Sequence, residues 1–441
     1  MNFEAIKDTV CRAAEAAGLK EYEISASVSE SISAETLRDE ISAFSSSVGG
    51  NVSFRCIVDG RAGEASTEDC GEAALEELVL SAISNAECID STDEPIIFAG
   101  SEKYADADNG ACELTDAKKV QADALRLQRA MYATDARVTD GTESSVFSSA
   151  RTVYLYNSYG LSLSNRVGAC GAYACAVIRD GEESQDHYES LGGSDIDSLE
   201  QISPKAVQGA LDKLGATTVP SGSYDVLFSG KQFGAFLSAF SSIFSAKQAL
   251  LGLSLLAGKG GEQIASEIVT IVDDPMREGS GMKRSFDGEG VATYRKNVVE
   301  NGVLKTLLHS LVTAKKAGVQ STGNGLRGGN VRPYNLSICA GKDSEEALMA
   351  AIGDGIYITE CKGFHAGANA VTGDFSIESA GFRIRDGKRA EPIKSFTVAG
   401  NFFDLLRRID RLGDRVEWGI PSTRAFASPA VLVRSMNVAG E

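Results

Sequence analysis

The stretch GFHAGANAVTGDFSIESAGFRIRDGKRAEPIKSFTVAGN, residues 363–401, carries the densest pattern of turn and strand signals in the chain. Two alternating segments, residues 382–385 and 393–398, flank Asp386-Gly387. Because Asp-Gly readily adopts the positive φ angles of a tight turn, this pattern predicts a β-hairpin. Glycines placed along the stretch suit strands that bend or approach another backbone closely, at Gly363, Gly367, Gly373 and Gly381. The stretch therefore predicts a tightly turned β-domain, either as plain scaffold or with a binding face.

Length and composition indicate a globular protein of two to three domains. The 441 residues exceed what one ordinary core accommodates. Hydrophobic residues make up 43% and charged residues 24%, so disorder is not indicated. The 61 acidic residues outnumber the 43 basic ones, which gives a net charge of −18. Because nucleic-acid affinity rests largely on basic side chains that neutralise phosphates, we expect no nucleic-acid partner.

The cysteines and the N-terminus bear on the compartment. Nine cysteines occur without a CxxC pair, and an odd number cannot all pair internally, so we expect reduced thiols. Phe3, Ile6 and Val10 alternate with charges at helical spacing, which predicts an amphipathic helix and not a signal peptide. No apolar run approaches the ~20 residues that span a bilayer. We therefore expect a soluble cytoplasmic protein with no membrane partner.

In the first half of the chain, alternating residues predict strands and apolar residues at helical spacing predict helices. Strands are expected at 22–29, at 51–58 before the turn Asp59-Gly60, and within 136–189, and helices at 72–89 and 116–132. The polar residues 89–116 between the two helices are typical of a linker. We therefore predict an N-terminal α/β module at 1–95 and a middle β-rich module with flanking helices at 110–215.

The second half predicts a large β-rich C-terminal domain at 222–441. It opens with a strand at 223–228 and continues with a helix-compatible region from Lys231 to about Leu256, whose broad apolar face predicts one long buried helix. Asn301-Gly302 predicts a further hairpin. A strand ends in Asp273-Asp274, which is either functional or a capped strand end. The predicted fold class is α+β, with N-terminal α/β modules of mixed sheets and helices before the β-rich domain.

The quoted stretch resembles the TldD/PmbA family, bacterial and archaeal proteins once called modulators of DNA gyrase and now associated with proteolysis. The residues that carry the resemblance are 372–376, Gly381-Phe382, Asp386-Gly387, 391–393 and 398–401. Matches at 58–67 and 157–161 extend it over almost the whole chain. The strongly negative net charge gives the old gyrase label no physical support.

The resemblance also bears on the metal chemistry. The TldD branch carries a HExxxH motif on the long helix of its third module, with two zinc-binding histidines, a Glu suited to act as base and a later Cys ligand. At the corresponding place this chain reads SSIFSAKQAL, residues 241–250, and residues 417–429 contain no Cys. The chain therefore resembles the PmbA/TldE branch, which lacks the motif, and we expect no catalytic residue and no metal in it.

Other chemistries have weaker support in the sequence. No two of His187, His309 and His365 stand at metal-ligand spacing, although convergence in the fold stays open, with Asp273, Asp274, Asp374 or Cys361 as partners. Cys361 beside His365 is more typical of a buried thiol near a surface His than of a nucleophilic pair. No serine lies in a GxSxG context. Surface charge is the default for the arginines that could hold carboxylates, namely Arg327, Arg332, Arg407 and Arg408.

By resemblance, the chain pairs with a TldD-like subunit in a heterodimeric zinc metalloprotease that acts on unfolded or small peptides and on peptide precursors. We expect it to be the non-catalytic subunit, with zinc in the partner, and to bind extended peptides along sheet edges near 363–376. The expected peptide-binding residues are Gly363, His365, Asn369, Asp374 and Asn401. The alternatives are an autonomous peptidase with an unrecognised site and a homodimeric peptide-binding protein without a proteolytic role. Whether the isolated chain forms a homodimer stays open.

Overall fold

The computed structural model describes residues 2–89, 94–110, 113–193, 201–420 and 422–441. Residues 90–93 and 111–112 of the predicted linker, and Pro421, lie outside the described residues. Over the described ranges, no helix combines the length and the apolar character needed to cross a bilayer.

The first half of the chain contains one antiparallel sheet. Its strands are β1 Tyr22–Leu37, β2 Glu40–Val58, β3 Arg61–Thr67, β4 Glu143–Asn157, β5 Ser162–Asp180 and β6 Glu183–Gly193. They lie in the order β3-β2-β1-β4-β5-β6. Strands from both predicted N-terminal modules share this sheet, because β1 pairs with β4 from Glu23 opposite Asn157 to Leu37 opposite Glu143. The domain boundaries drawn from the sequence stay a prediction.

Four helices cover this sheet, namely α1 Phe3–Ala16, α2 Glu72–Cys88, α3 Ala117–Thr134 and α4 Ile202–Leu211. The apolar stripes of α1 and α2 bury against β1 and β2 around Ile24 and Phe54. Those of α3 and α4 bury against β4 and β5 around Leu127 and Ile178. The helices predicted at 72–89 and 116–132 are thus confirmed, each burying one face, as their periodicity requires.

The second half contains further strands and helices. The strands are β7 Gly222–Phe228, β8 Ile271–Asp273, β9 Lys296–Glu300, β10 Val303–Leu304, β11 Gly325–Leu326, β12 Asn330–Val331, β13 Asn335–Ile338, β14 Gly355–Lys362, β15 Asp374–Arg385, β16 Lys388–Asn401, β17 Ile409–Leu412, β18 Glu417–Trp418, β19 Ala425–Ser428 and β20 Val431–Ala439. The helices are α5 Gly230–Phe240, α6 Ala246–Leu250, α7 Leu311–Ala317, α8 Glu345–Ile352, α9 Phe364–Gly367 and α10 Phe402–Arg407.

Five of these strands close into a barrel. They follow the order β16-β15-β14-β7-β20, and β20 returns to β16 by pairing Ala439 with Thr397. A mixed sheet in the order β10-β9-β8-β13-β19-β18 lies beside the barrel. The main core fills the space between them, with Phe236 and Phe240 of α5 fully buried in it. The α+β class and the β-rich C-terminal part are confirmed.

The hairpin turns predicted from dipeptides are confirmed. Asp59-Gly60, Asn301-Gly302 and Asp386-Gly387 join β2 to β3, β9 to β10 and β15 to β16. In each pair both residues have positive φ, for example 48° at Asp386 and 72° at Gly387. Such angles match the twist of the flanking strands, so the local sequence is sufficient to set these turns.

The prediction of one long helix from Lys231 to about Leu256 is wrong. Helix α5 ends at Phe240, a 3₁₀ turn covers Ser241–Phe244, and Ser245 is extended with ψ of 122° before α6 begins. The Ser245 hydroxyl accepts a hydrogen bond from the backbone N–H of Gln248 and so caps α6. Serine competes with the helix for backbone hydrogen bonds, which is the physical reason for the break.

The expectation of a free sheet edge near 363–376 is also wrong. Strand β15 lies between β14 and β16, and Asp374 at its start pairs with Asn401. On the other side, Phe375 bridges to Ala368 of the preceding loop. Because both sides of this strand are already paired, a peptide cannot add to it by backbone hydrogen bonding.

Candidate functional site

The first part of residues 241–250, where the resemblance places the metal motif, is packed into the core. Ser241, Ile243 and Phe244 are buried. The Ser241 hydroxyl donates to the carbonyl oxygen of Ser238 at 2.9 Å, and the Phe244 carbonyl accepts from Leu308 N at 2.8 Å. Zinc in proteins takes imidazole, thiolate or carboxylate ligands. This segment presents apolar groups and hydroxyls bonded to its own backbone, so its residues do not fit a zinc ion.

The C-terminal segment at 417–429, in which the resemblance places a further ligand, lies against α5. Strand β19 crosses α5 so closely that a Cβ on Gly230 would lie 2.4 Å from the carbonyl oxygen of Ser428. The Glu417 carboxylate accepts from the backbone N–H of Lys231 at 2.8 Å, at the start of α5. Burial raises the pKa of Glu417. The segment at 417–428 therefore packs on α5, the helix that leads into residues 241–250.

The 363–401 stretch adjoins this helix through aromatic contacts. The ring of Phe236 meets those of Phe364 and Phe375 edge to face, with centroids 4.9 Å and 5.1 Å apart. One residue after Asn401, Phe402 stacks on Phe240 at the end of α5. Such aromatic pairs add to the stabilisation from burial alone. The predicted peptide-binding stretch is thus fixed beside α5, the helix that leads into residues 241–250.

Three of the predicted peptide-binding residues form one turn. The Asn401 Nδ2 donates to the carbonyl oxygen of Thr372 and to Asp374 Oδ1, both at 2.9 Å. The Asn369 Oδ1 accepts from Val371 N at 3.0 Å and from Thr372 N at 3.3 Å. The amide of Asn401 also lowers the pKa of the exposed Asp374 carboxyl. The polar groups of these side chains therefore form hydrogen bonds within the turn itself.

The other two predicted residues lie on the helical turn just before it. Gly363 adopts the left-handed conformation with φ of 79° and opens α9. His365 is exposed on α9. The structure thus gathers all five residues at one end of the barrel, and their role in peptide binding stays a prediction.

The three histidines lie in different surroundings. His187 Nε2 is 3.2 Å from Glu189 Oε1. His309 is buried, its Nδ1 has no hydrogen-bond partner in the described part of the chain, and burial lowers its pKa. Across the described ranges, no three residues among His, Cys, Asp and Glu form a group suited to a metal ion. Burial raises the pKa of Cys361 to about 12, the opposite of what a thiolate nucleophile requires.

The Asp273 carboxylate is committed to structure. Its Oδ1 accepts from the backbone N–H groups of Tyr334 and Asn335 at 2.8 Å and 3.0 Å. Its Oδ2 accepts from Asn324 Nδ2 at 2.7 Å and lies 3.5 Å from the Lys296 ammonium. Asp273 therefore secures the end of β8 against β13, as a buried carboxylate requires.

A cavity of about 350 Å³ lies between the N-terminal sheet and the loops at 284–288 and 326–334. Arg151 of β4, Arg284 and Arg332 all line it. Arg327 and Arg332, which the sequence leaves as surface charge by default, also line it, whereas no sequence pattern singles out Arg151 or Arg284. Arg151, Arg284 and Arg332 are far apart in the chain, so no spacing pattern connects them, and only the packing of the sheet against the loops brings them together.

Three family models match the chain. They are described as PmbA/TldA metallopeptidase domain 1 over residues 22–86, the central domain over 111–214 and the C-terminal domain over 221–440. Together they cover most of the sequence in the expected order.

Two curated relatives illustrate the range of similarity. A protein named Metalloprotease from Methanothermobacter thermautotrophicus is 35% identical over 257 residues, which are 56% of this chain and 56% of the relative. This chain thus spans about half the length of that relative. Metalloprotease PmbA from Escherichia coli O157:H7 is 25% identical over 429 residues, which are 95% of this chain and 92% of the relative.

Solved structures share the whole architecture. A Thermotoga maritima protein described as a candidate modulator of a DNA gyrase is 29% identical, with a TM-score of 0.89 over 99% of this chain and 100% of its own. TldE from Thermococcus kodakarensis, at 23% identity, has the same fold with a TM-score of 0.86 over 99% and 100% of the two chains. With its three domain models matched in order and its fold shared from end to end, the chain belongs to the PmbA/TldD metallopeptidase family.

Proposed function

We propose that this chain is the PmbA/TldE-type, non-catalytic subunit of a heterodimeric zinc metalloprotease whose TldD-like partner holds the zinc. The complex acts on unfolded or small peptides and on peptide precursors. The role of this chain is to complete the chamber around the partner's active site and to stabilise the active partner.

One observation carries the proposal. In this chain β19 packs on α5, and the 363–401 stretch adjoins the same helix. In the segment 241–250, which corresponds by resemblance to the metal motif, Ser241, Ile243 and Phe244 are buried and offer no zinc ligand. A chain that keeps the scaffold and fills the site with core residues suits a partner subunit better than a hydrolase of its own.

The test uses this chain alone, the TldD-like protein of the same organism alone, and the two mixed. Elemental analysis measures zinc per chain, light scattering measures the assembly, and cleavage of an unfolded protein measures activity. We expect no stoichiometric zinc and no cleavage with this chain alone, and cleavage from a 1:1 complex in the mixture. The matched control is a partner in which the Glu of HExxxH is replaced by Gln, which should assemble but not cleave.

Two outcomes would overturn the proposal. Stoichiometric zinc and cleavage with this chain alone would establish an autonomous peptidase. A homodimer that binds peptide, fails to assemble with the partner and adds no activity would establish a peptide-binding protein without a proteolytic role.

A further inference from the structure

The arginine-lined cavity has one cationic wall and one apolar wall. Arg284 and Arg332 form the first, with their guanidinium carbons 5.6 Å and 5.8 Å from the centroid of the Tyr334 ring. The apolar lining consists of Leu155 from β4 on one side of the cavity and of Phe286 and Leu326 from the loops on the other. The cavity therefore presents both a charged and an apolar surface to anything that enters it.

The guanidinium groups of Arg284 and Arg332 lack hydrogen-bond and ion-pair partners in the described part of the protein. The Nε atoms of Arg284 and Arg332 are buried without a hydrogen-bond partner within the described ranges. Within those described ranges, neither Arg284 nor Arg332 lies within ion-pair distance of a carboxylate. Arg151 is held at the mouth by a hydrogen bond from its Nη2 to Ser27 Oγ at 3.2 Å. Buried charges are normally paired, so the unpaired guanidinium groups of Arg284 and Arg332 require an explanation.

Within the described ranges, the acids nearest the cavity are bonded to other groups and form no ion pair with Arg284 or Arg332. Asp287 also lines the cavity, but its carboxylate accepts from three backbone N–H groups, those of Glu289, Val291 and Gly325, at 2.7–3.0 Å. Glu23 is bound by Arg327, whose Nε and Nη2 both donate to its Oε1 at 3.0 Å and 2.9 Å.

The electrostatics agree with this geometry. Burial lowers the pKa of Arg284, and the nearby charges of Arg332 and Arg151 lower it further. An anion inside the cavity would offset both of these effects on the pKa of Arg284, because it would supply opposite charge and hydrogen-bond acceptors.

We propose that this cavity binds an organic carboxylate that carries an apolar group, such as the C-terminus of a peptide with an apolar last residue. The two oxygens of a carboxylate match the N–H fork of a guanidinium, and the apolar group would lie against Leu155, Phe286 and Leu326. A small free carboxylic acid with an apolar substituent offers the same chemistry. The proposal goes beyond the subunit role argued above, and its test needs no partner.

A route into the cavity exists at the surface. A shallower cleft of about 450 Å³ shares Ser27, Asn51 and Arg151 with the cavity and is lined otherwise by residues of β1, β2 and β3 and by Glu68. Arg151 is itself exposed. An extended ligand can therefore reach the cavity with one end while the rest of it stays in the cleft.

The first experiment uses the unaltered full-length chain and isothermal titration calorimetry at low salt. The probes are a tetrapeptide ending in Ala-Phe with a free C-terminus, the same peptide amidated at the C-terminus, 3-phenylpropionate and inorganic phosphate. We expect the free acid to bind at least tenfold more tightly than the amide, and phosphate to bind more weakly than the acid. Binding of 3-phenylpropionate as tight as that of the peptide would assign small acids as the source of the carboxylate.

The second experiment locates the site. The double variant Arg284→Gln with Arg332→Gln should weaken binding of the free acid at least tenfold. The matched control is Arg277→Gln, because Arg277 also has a buried, unpartnered Nε and lies over an aromatic ring, that of Trp418, yet does not line the cavity. This control should change binding less than twofold.

Equal binding of the acid and the amide would overturn the proposal without any variant being needed. Binding of phosphate but of neither acid would show an inorganic-anion site instead. Undiminished binding by the double variant would place the ligand elsewhere. None of these readouts depends on proteolysis, so a failed subunit assignment and a failed cavity assignment are distinguishable.

Discussion

Phe240 and Phe402 stack with ring centroids 4.4 Å apart and ring planes 7° from parallel. Phe240 is the last residue of α5 and Phe402 the first of α10, so this contact joins α5 to the residue that directly follows the 363–401 stretch. Both side chains are fully buried.

Replacing Phe402→Ala should therefore lower the free energy of unfolding by about 3–5 kcal/mol, because it removes a buried ring and leaves a cavity. Urea denaturation followed by circular dichroism measures the loss. Phe402→Leu should lose less, and Leu251→Ala, at an exposed position, should change stability by less than about 0.5 kcal/mol. A Phe402→Ala loss as small as that of Leu251→Ala would contradict the packing argument.

An ion pair between Arg327 and Glu23 connects the loop after β11 to the N-terminal sheet. Both side chains are largely buried, and Arg327 also donates to Ser25 Oγ at 2.6 Å. Arg327→Met should destabilise the protein by about 3–5 kcal/mol, because it leaves the Glu23 carboxylate buried without its partner. Adding Glu23→Gln should recover part of that loss. Chemical denaturation of both single variants and the double variant measures the coupling, and strictly additive losses would contradict a direct interaction.

Arg284 should behave in the opposite way to Arg327. Among the residues that the structure describes, the buried Nε of Arg284 has no partner and no carboxylate lies within ion-pair distance, so Arg284→Met should be neutral or should stabilise the ligand-free protein by about 1–2 kcal/mol. Thermal denaturation without added anions measures this change. A fall in melting temperature comparable to that of Arg327→Met would mean that the Arg284 charge is satisfied within the protein.

Glu289 should make stability depend on pH. Burial raises its pKa to about 8, and its Oε2 accepts from Leu311 N at 2.8 Å. From about pH 5 to 8 the folded protein therefore holds a proton that the unfolded chain releases, so the free energy of unfolding falls as pH rises. Asp287, with a pKa raised to about 6, acts in the same direction at lower pH.

Glu289→Gln should reduce this fall by on the order of 3 kcal/mol between pH 5 and 8.5, because Gln keeps the acceptor and has no charge. Urea denaturation across that range measures the slope, with the exposed Glu278→Gln as control. An unchanged slope in Glu289→Gln would mean that the carboxyl is not protonated in the folded protein.

The predicted peptide-binding set can be separated into binding and structural parts. His365→Ala should leave stability unchanged, since the side chain is exposed, and should raise KM severalfold for peptide cleavage by the mixture with a TldD-like partner. Asn401→Ala should destabilise the protein by about 1–3 kcal/mol, because it removes the hydrogen bonds to Thr372, Asp374 and Phe403. An unchanged KM in His365→Ala would remove that residue from the peptide-binding set.

Sequence alone determined the features that depend on neighbouring residues. Asp386-Gly387 sets its hairpin because only two consecutive positive φ angles fit that turn, and the apolar spacing of α2 sets its buried face. The resemblance carried by 372–376 and 398–401 indicated the family, and SSIFSAKQAL at 241–250 contains no HExxxH motif. Each of these inferences uses residues within a few positions of one another.

Only the tertiary structure decided what depends on distant residues. The helix predicted from Lys231 breaks at Ser241 and Ser245, because backbone bonds to Leu308, more than one element away, hold the irregular segment in place. The expected edge strand, β15, is enclosed because β14 and β16 pair with it on its two sides. Arg151, Arg284 and Arg332 converge only when the N-terminal sheet packs on the C-terminal loops. Local sequence fixes turns and helix faces, whereas the burial and pairing of a charge depend on which distant segments pack beside it.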